Sequence, residues 1–296
     1  MTVVERVNSE RVVLFGWSRA ILLQIAHPLV AAGVLDHSSF RGGMIQAARR
    51  LHHTVGAMLS LTFGGEQAHA ETVARIRGIH RRVHGTLRAP VGRFPAGTRY
   101  SAEEPALLLW VHATLVDSIA GIYTRVVAPL GAPELDLLCR EAAPLVEELG
   151  GRAHDTPLSW RALQQYLEEM YASGTLEVSR QSRALADAVL SPRIAGLPLP
   201  LGGVHRLITY GLLPAPVRAL YGVRWSASRE RRFLHALRLL RAMRRIAPPR
   251  LALWPAARAH FARPLPPHER ADGYRLAASS AAKSQPGSFP SVPPPR

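Results

Sequence analysis

Residues 41–85 read RGGMIQAARRLHHTVGAMLSLTFGGEQAHAETVARIRGIHRRVHG. Two helical periods stand back to back in this stretch, parted by Gly64-Gly65. In the first, Met44, Ala48, Leu51, Val55, Met58, Leu59 and Thr62 recur at a spacing near 3.6, which predicts a helix over 44–63. In the second, Val73, Ile76, Ile79 and Val83 predict a helix over 66–84, with Gly85 placed to terminate it. Arg50 and Thr54 are four apart on the first helix, and His80 and His84 are four apart on the second, so each pair shares a face. Arg50 and Thr54 fall on one flank of the apolar stripe, His52 on the other, and His53 points well away from it. His80 falls nearer the centre of its stripe than His84, which makes it the more buried. An imidazole facing a cation and a hydroxyl on the neighbouring helix suits an iron cofactor and a small molecule bound to it. A core histidine and an ordinary surface arginine with a buried stem fit the same pattern.

Working outward, residues 10–35 form a largely apolar helical stretch that Pro28 must break or kink. His27 would satisfy a carbonyl freed by the kink or line a pocket. Asp36, His37 and Ser38 make a polar corner, with Asp36 or Ser38 suited to cap the next helix. Residues 86–100 are rich in Gly, Pro and Arg and read as an excursion loop. The helix after it starts either from a Ser101–Glu104 capping box or from Glu104 with Pro105 at its first position. It is apolar all round and belongs in the centre, and its His112 and Asp117 need partners. Further helices run over 134–149 with Glu141, Glu147 and Glu148 outward, over 160–172 capped by Ser159, and over 176–190. A Pro/Gly-rich connector spans 191–203. Helix resumes over 204–222 with breaks at Pro214 and Pro216, then over 226–246, begun by Ser226 or Ser228 and rich in arginine. No run alternates with the period of a strand. Beyond about 262 the chain is Pro, Ala and Ser without a period, a disordered tail over 263–296. The reading is one all-α domain, residues 1–262, and that tail.

Composition narrows the chemistry. The single cysteine, Cys139, excludes an intrachain disulfide and a cysteine-based zinc or iron–sulfur site and fits a reducing, cytoplasmic compartment. The formal net charge of +16 raises nucleic acid or an anionic membrane as partners. That charge is nearly all arginine, Lys283 being the only lysine, and it is spread along the chain, so nucleic acid is not expected. No signal peptide is expected. The window Ala106–Tyr123 is apolar but carries His112 and Asp117, which favours a core helix over a transmembrane segment. Phosphate-loop, dinucleotide-binding, zincin and nucleophile-elbow motifs are missing. Glu66-x-x-His69 has no second copy for a di-iron site. Haem needs only one histidine and an apolar slot.

Six separated strings carry a resemblance: GWSRAILLQIAHPLVAAGVLDHSSF (16–40), RRLHHT (49–54), FGG (63–65), IHRRVHG (79–85), YSAEEPALLLWVHATLVDS (100–118) and ITYGLLPAPVRALYGVRWS (208–226). Their order and spacing resemble the rubber oxygenase (latex clearing protein) and MpaB-like oxygenase family. The resemblance implies a globin-like helical domain enclosing haem b, with Arg50 and Thr54 beside the distal face. Where the rubber oxygenases carry a distal lysine, this chain has His53. The axial ligand falls in IHRRVHG: His80 by burial, or His84 by counting from the threonine. His112 and His27 are further candidates for contact with the cofactor. The implied chemistry is O2-dependent oxidation or double-bond cleavage of a lipophilic, isoprenoid or polyketide-like substrate. Two other classes fit the residues: a haem-binding sensor or carrier without catalysis, and a haem-free helical interaction protein.

Overall fold

The computed structural model describes residues 1–37, 43–190, 193–194, 197–198 and 202–263, with backbone alone for 43–52 and for 193–194 and 197–198. The proposed tail lies outside these residues from 264 onward. Residues 1–258 form one compact unit; of a second, 259–296, only 259–263 are described.

The fold is all-α, as expected. Helix α1 (Val3–Asn8) begins with a capping box in which the Thr2 hydroxyl accepts from Glu5 N–H and the Glu5 carboxylate accepts from Thr2 N–H. Helices α2 (Leu14–Ile25) and α3 (Pro28–His37) meet at the predicted break, where the chain bends by 105°. The Ala26 carbonyl freed there accepts from Glu177 N–H at 2.8 Å. His27 therefore does not serve a carbonyl. Its Nδ1 accepts from Leu29 N–H at 3.3 Å, serving one of the unsatisfied donors at the start of α3.

Helices α4 (Gly43–Phe63) and α5 (Gly65–His80) form a hairpin through Gly65, whose φ of 76° is the left-handed conformation that glycine adopts without a Cβ clash. Two short strands come next, β1 (His84–Thr86) and β2 (Arg99–Ser101), paired antiparallel across the 86–100 excursion. Helix α6 (Pro105–Val126) starts from Glu104 with Pro105 at its first position. It lies along α2, and Gly16 permits the approach: a Cβ there would stand 2.6 Å from the Ser118 carbonyl oxygen. By length and composition α6 could cross a membrane, but 72% of its most apolar window is buried in the protein.

The expected helix over 134–149 is two helices, α7 (Ala132–Ala142) and α8 (Pro144–Glu148), because Pro144 cannot donate to the ladder. Two of its outward glutamates are engaged: Glu141 accepts from Val4 N–H at 2.8 Å, and Glu148 meets His69 Nε2 at 2.7 Å. His69 thus turns to Glu148 rather than joining Glu66 in a metal motif. Helices α9 (Trp160–Ala172) and α10 (Arg180–Leu190) are next in the chain; Ser159 caps α9 by accepting from Ala162 N–H. A two-residue pairing, β3 (Arg193–Ile194) with β4 (Leu197–Pro198), precedes α11 (Gly202–Leu212) and α12 (Ala215–Leu220). Helix α13 (Ala227–Ile246), capped by Ser226, leads to α14 (Pro249–Ala252) and α15 (Pro255–Phe261). The core joins α2 and α6 to α9, α10 and α11 through Leu22, Leu23, Trp110, Ile122, Leu167, Leu190 and Ile208, all under 2% exposed, and to α13 through Phe233.

One buried ion pair sits among these helices. Arg19 of α2 meets Asp117 of α6 at 2.6 Å, donates to Ser118 Oγ at 2.7 Å and to the Leu212 carbonyl at 2.8 Å. Gln164 of α9 donates to the other Asp117 oxygen at 2.9 Å. Asp117 therefore finds the partners its burial demands.

Candidate functional site

The site begins where α5 ends. The helix stops at His80, four residues before the expected end, because Gly85 is drawn into pairing with Tyr100 instead of capping. A Cβ on Gly85 would lie 2.5 Å from the Tyr100 hydroxyl, so only glycine admits that ring. Across this hairpin lies the C-terminal half of α3. Gly33 packs against Val83 and Tyr100, and a Cβ there would meet a Val83 methyl at 3.2 Å. The Tyr100 hydroxyl donates to Asp36 at 2.6 Å, and Arg88 approaches the same carboxylate at 3.5 Å. Burial, then the Asp36 contact, raises the Tyr100 pKa, keeping the phenol protonated. His37 Nε2 lies 3.0 Å from the His84 carbonyl, an acceptor, so the proton is on Nε2.

Because α5 ends early, His80 and His84 do not share a helix face. His84 is exposed on β1. His80 is half-buried and turned inward with Thr72, Val73 and Ile76, while Ile79, placed on the stripe by its period, is 47% exposed. Burial lowers the His80 pKa below the usual histidine value, against a smaller opposing effect of Glu103. Its Nδ1 is buried and has no hydrogen-bond partner. An imidazole with a partnerless buried nitrogen can take up a water, a polar group or a metal ion. His80 fits haem ligation on that ground.

His53 and Thr54 are both exposed on α4, each with an interaction of its own. The Arg50 side chain lies outside the described residues. His112 is half-buried on α6, and burial pushes its pKa down to about 4. His27 is 6% exposed, with its ring 5.6 Å from that of Phe94; burial, then the Arg93 charge, pushes its pKa down to about 4. His27 and His112 are therefore neutral at pH 7, and burial shifts His80 in the same direction. Neither Tyr100 nor His205, whose Nε2 lies 2.8 Å from Ser18 Oγ on α2, stands out in the sequence. Neither residue has a local period that would have marked it.

Replacing Gly85 by alanine is expected to destabilise the chain by about 1–3 kcal/mol, the usual cost of overpacking, since Tyr100 must leave Asp36 to make room. Urea unfolding of Gly85→Ala beside Gly85→Ala/Tyr100→Phe checks this. The second change should recover part of the loss, and an unchanged midpoint in the single variant would contradict the clash.

The fold is all-helical, and comparison supplies the family. Residues 4–244 match the family model described as ER-bound oxygenase mpaB/B'/Rubber oxygenase, catalytic domain, and the chain belongs to that family. It is 28% identical over 235 residues to an uncharacterised protein of Mycobacterium bovis and to one of Mycobacterium tuberculosis, covering 78% of this chain and 88% of each relative. No solved structure matches.

Proposed function

We propose that the chain is a haem b-dependent oxygenase of the cytoplasm acting on a lipophilic small molecule of isoprenoid or polyketide-like character. Membership of an oxygenase catalytic-domain family supports the reaction class. The buried, partnerless His80 Nδ1 is the single observation that carries the cofactor. When bound, haem b would supply activation of O2 at ferrous iron. His80 is the residue that would hold it, and burial, which lowers its pKa, would lessen proton competition for the ligating nitrogen. Arg50 and Thr54, one turn apart on α4, would donate hydrogen bonds to negative charge developing on oxygen. His53 stands where the rubber oxygenases carry a distal lysine, but it points away from the flank that Arg50 and Thr54 share. His112 and His27, uncharged at neutral pH, would offer polar contacts without placing a cation in an apolar slot. The apolar faces of α2 and α6 would keep water from the substrate.

The test is the absorption spectrum of purified chain reconstituted with haem b. Wild type and His84→Ala should show a Soret band. His80→Ala should lose haem affinity by more than the ~10–100-fold that removing an outer-shell partner costs. A wild-type spectrum in His80→Ala removes the ligand assignment. Intact haem without O2 consumption on any isoprenoid tried would leave a carrier rather than an oxygenase.

A further inference from the structure

We propose that the outward face of α13 docks on an anionic lipid surface, with the helix lying among the headgroups. The inference is independent of the haem reading. The inner face of α13 is accounted for: Phe233 and Leu237 are buried, Leu240 packs on the core, and Arg244 bonds Glu10 of the N-terminal segment. At 100° per residue, Leu239, Met243 and Ile246 then align on the outer face. They are 55%, 55% and 85% exposed, and Leu251 of the adjoining α14 is 62% exposed. Single exposed apolar residues are ordinary, but four within one helix and the turn after it make a patch.

Arginines run beside this stripe. Arg231, Arg238 and Arg245 recur every seven residues along one flank, all exposed and with no ion pair among the described residues. The one carboxylate of α13, Glu230, accepts from Trp225 Nε1 at 2.6 Å and does not join that face. Arg232 stands seven residues before Leu239, in line with the stripe. It lines a cleft of about 570 Å³ with Arg183, Arg206, Arg224 and Arg229. Among the described residues lining it the one carboxylate, Asp187, is 2.9 Å from Arg206. The end of the stripe is therefore a basic pocket wide enough for a phosphate headgroup.

An apolar strip edged by arginines is the pattern of a helix that lies in a lipid interface, where the strip enters the acyl boundary and the guanidinium groups meet anionic headgroups. Nucleic acid would neutralise the arginines but leave the strip in water. A second copy would bring two carboxylate-free basic faces together. The chain's own residues 264–296 carry four basic residues against Glu269 and Asp272, so they offer no complementary charge. The arginines that look dispersed in sequence thus acquire a direction once α13 is placed.

Co-sedimentation of the purified full chain with phosphatidylcholine vesicles, with and without phosphatidylglycerol, tests the proposal. Wild type should bind the anionic vesicles and scarcely the neutral ones. Leu239→Ser/Met243→Ser/Ile246→Ser should bind at least tenfold more weakly, with Tm unchanged because these side chains face outward. Arg238→Glu/Arg245→Glu should lose the preference for phosphatidylglycerol. Equal partitioning of wild type to both vesicles, or wild-type binding by the triple serine variant, overturns it. So does duplex DNA binding that falls steeply with salt while ignoring the serine changes, or a dimer that those changes dissolve.

Discussion

Replacing Arg19 by alanine is expected to cost about 3–5 kcal/mol of folding stability, the range for removing one partner of a buried ion pair. Both side chains are 11% exposed, so Asp117 would be left charged with little water to replace the guanidinium. The Ser118 hydroxyl and the Leu212 carbonyl would lose their donor in the same step. For a chain of this size the loss corresponds to a Tm lower by roughly 6–20 °C. Asp117→Ala should be comparably damaging, since it strands Arg19 and frees the Gln164 amide. The double variant Arg19→Ala/Asp117→Ala should lose less than the two single variants together, because no buried charge remains unpaired. Urea unfolding of the four proteins checks this. A loss under about 1 kcal/mol in Arg19→Ala, or strict additivity in the double variant, would show that water reaches the pair. The consequence extends to the site: the pair fixes α6 against α2, and His112 stands five residues before Asp117 on that helix. An Arg19 variant that folds should therefore also bind haem less tightly if His112 borders the cofactor.

Local signals were legible and long-range ones were not. Pro28, Glu104-Pro105, Ser159 and Ser226 act through their own or adjacent backbone, and each marks a boundary that the structure has. Pro144 acts in the same way, but the amphipathic period that runs through it carried a single helix over 134–149. The end of α5 could not be read, because Gly85 is claimed by Tyr100, fifteen residues on, and Tyr100 in turn by Asp36 of α3. With that end went the relation between His80 and His84. The rotation of α5 that buries His80 and exposes Ile79 is a matter of what packs on it, which a helical period alone does not hold. The partners of Asp117 are similarly remote: Arg19 lies 98 residues earlier and Gln164 lies 47 later. The sequence showed that a partner was needed and had no means of naming it.

Stability is expected to fall steeply as the pH drops from about 6.5 to about 4, before most carboxylates protonate. His27 and His112 titrate near 6.5 when unfolded and at about 4 when folded. Between those values the unfolded chain holds two protons that the folded chain refuses, so protons favour unfolding throughout that window. Above about 6.5 both groups are neutral in either state and the effect vanishes. Each shift corresponds to about 3 kcal/mol below the folded pKa, less for His112 because it is only half-buried. His80 and His205, also lowered by burial, add in the same direction. His69 opposes them: its hydrogen bond to Glu148 raises its pKa, so its contribution is present in acid and lost as the pH rises through the folded value. That pair is a third exposed and is the weaker effect. Protonating His27 also removes the Nδ1 lone pair that caps α3, so the acid transition should begin with fraying of α3. Urea midpoints taken in steps from pH 7 to 4.5 should give a slope that His27→Gln and His112→Gln each lower by up to about 1.4 kcal/mol per pH unit. The glutamines do not titrate, so carboxylates cancel in the comparison. A double variant that keeps the wild-type slope would mean that neither imidazole is withheld from water.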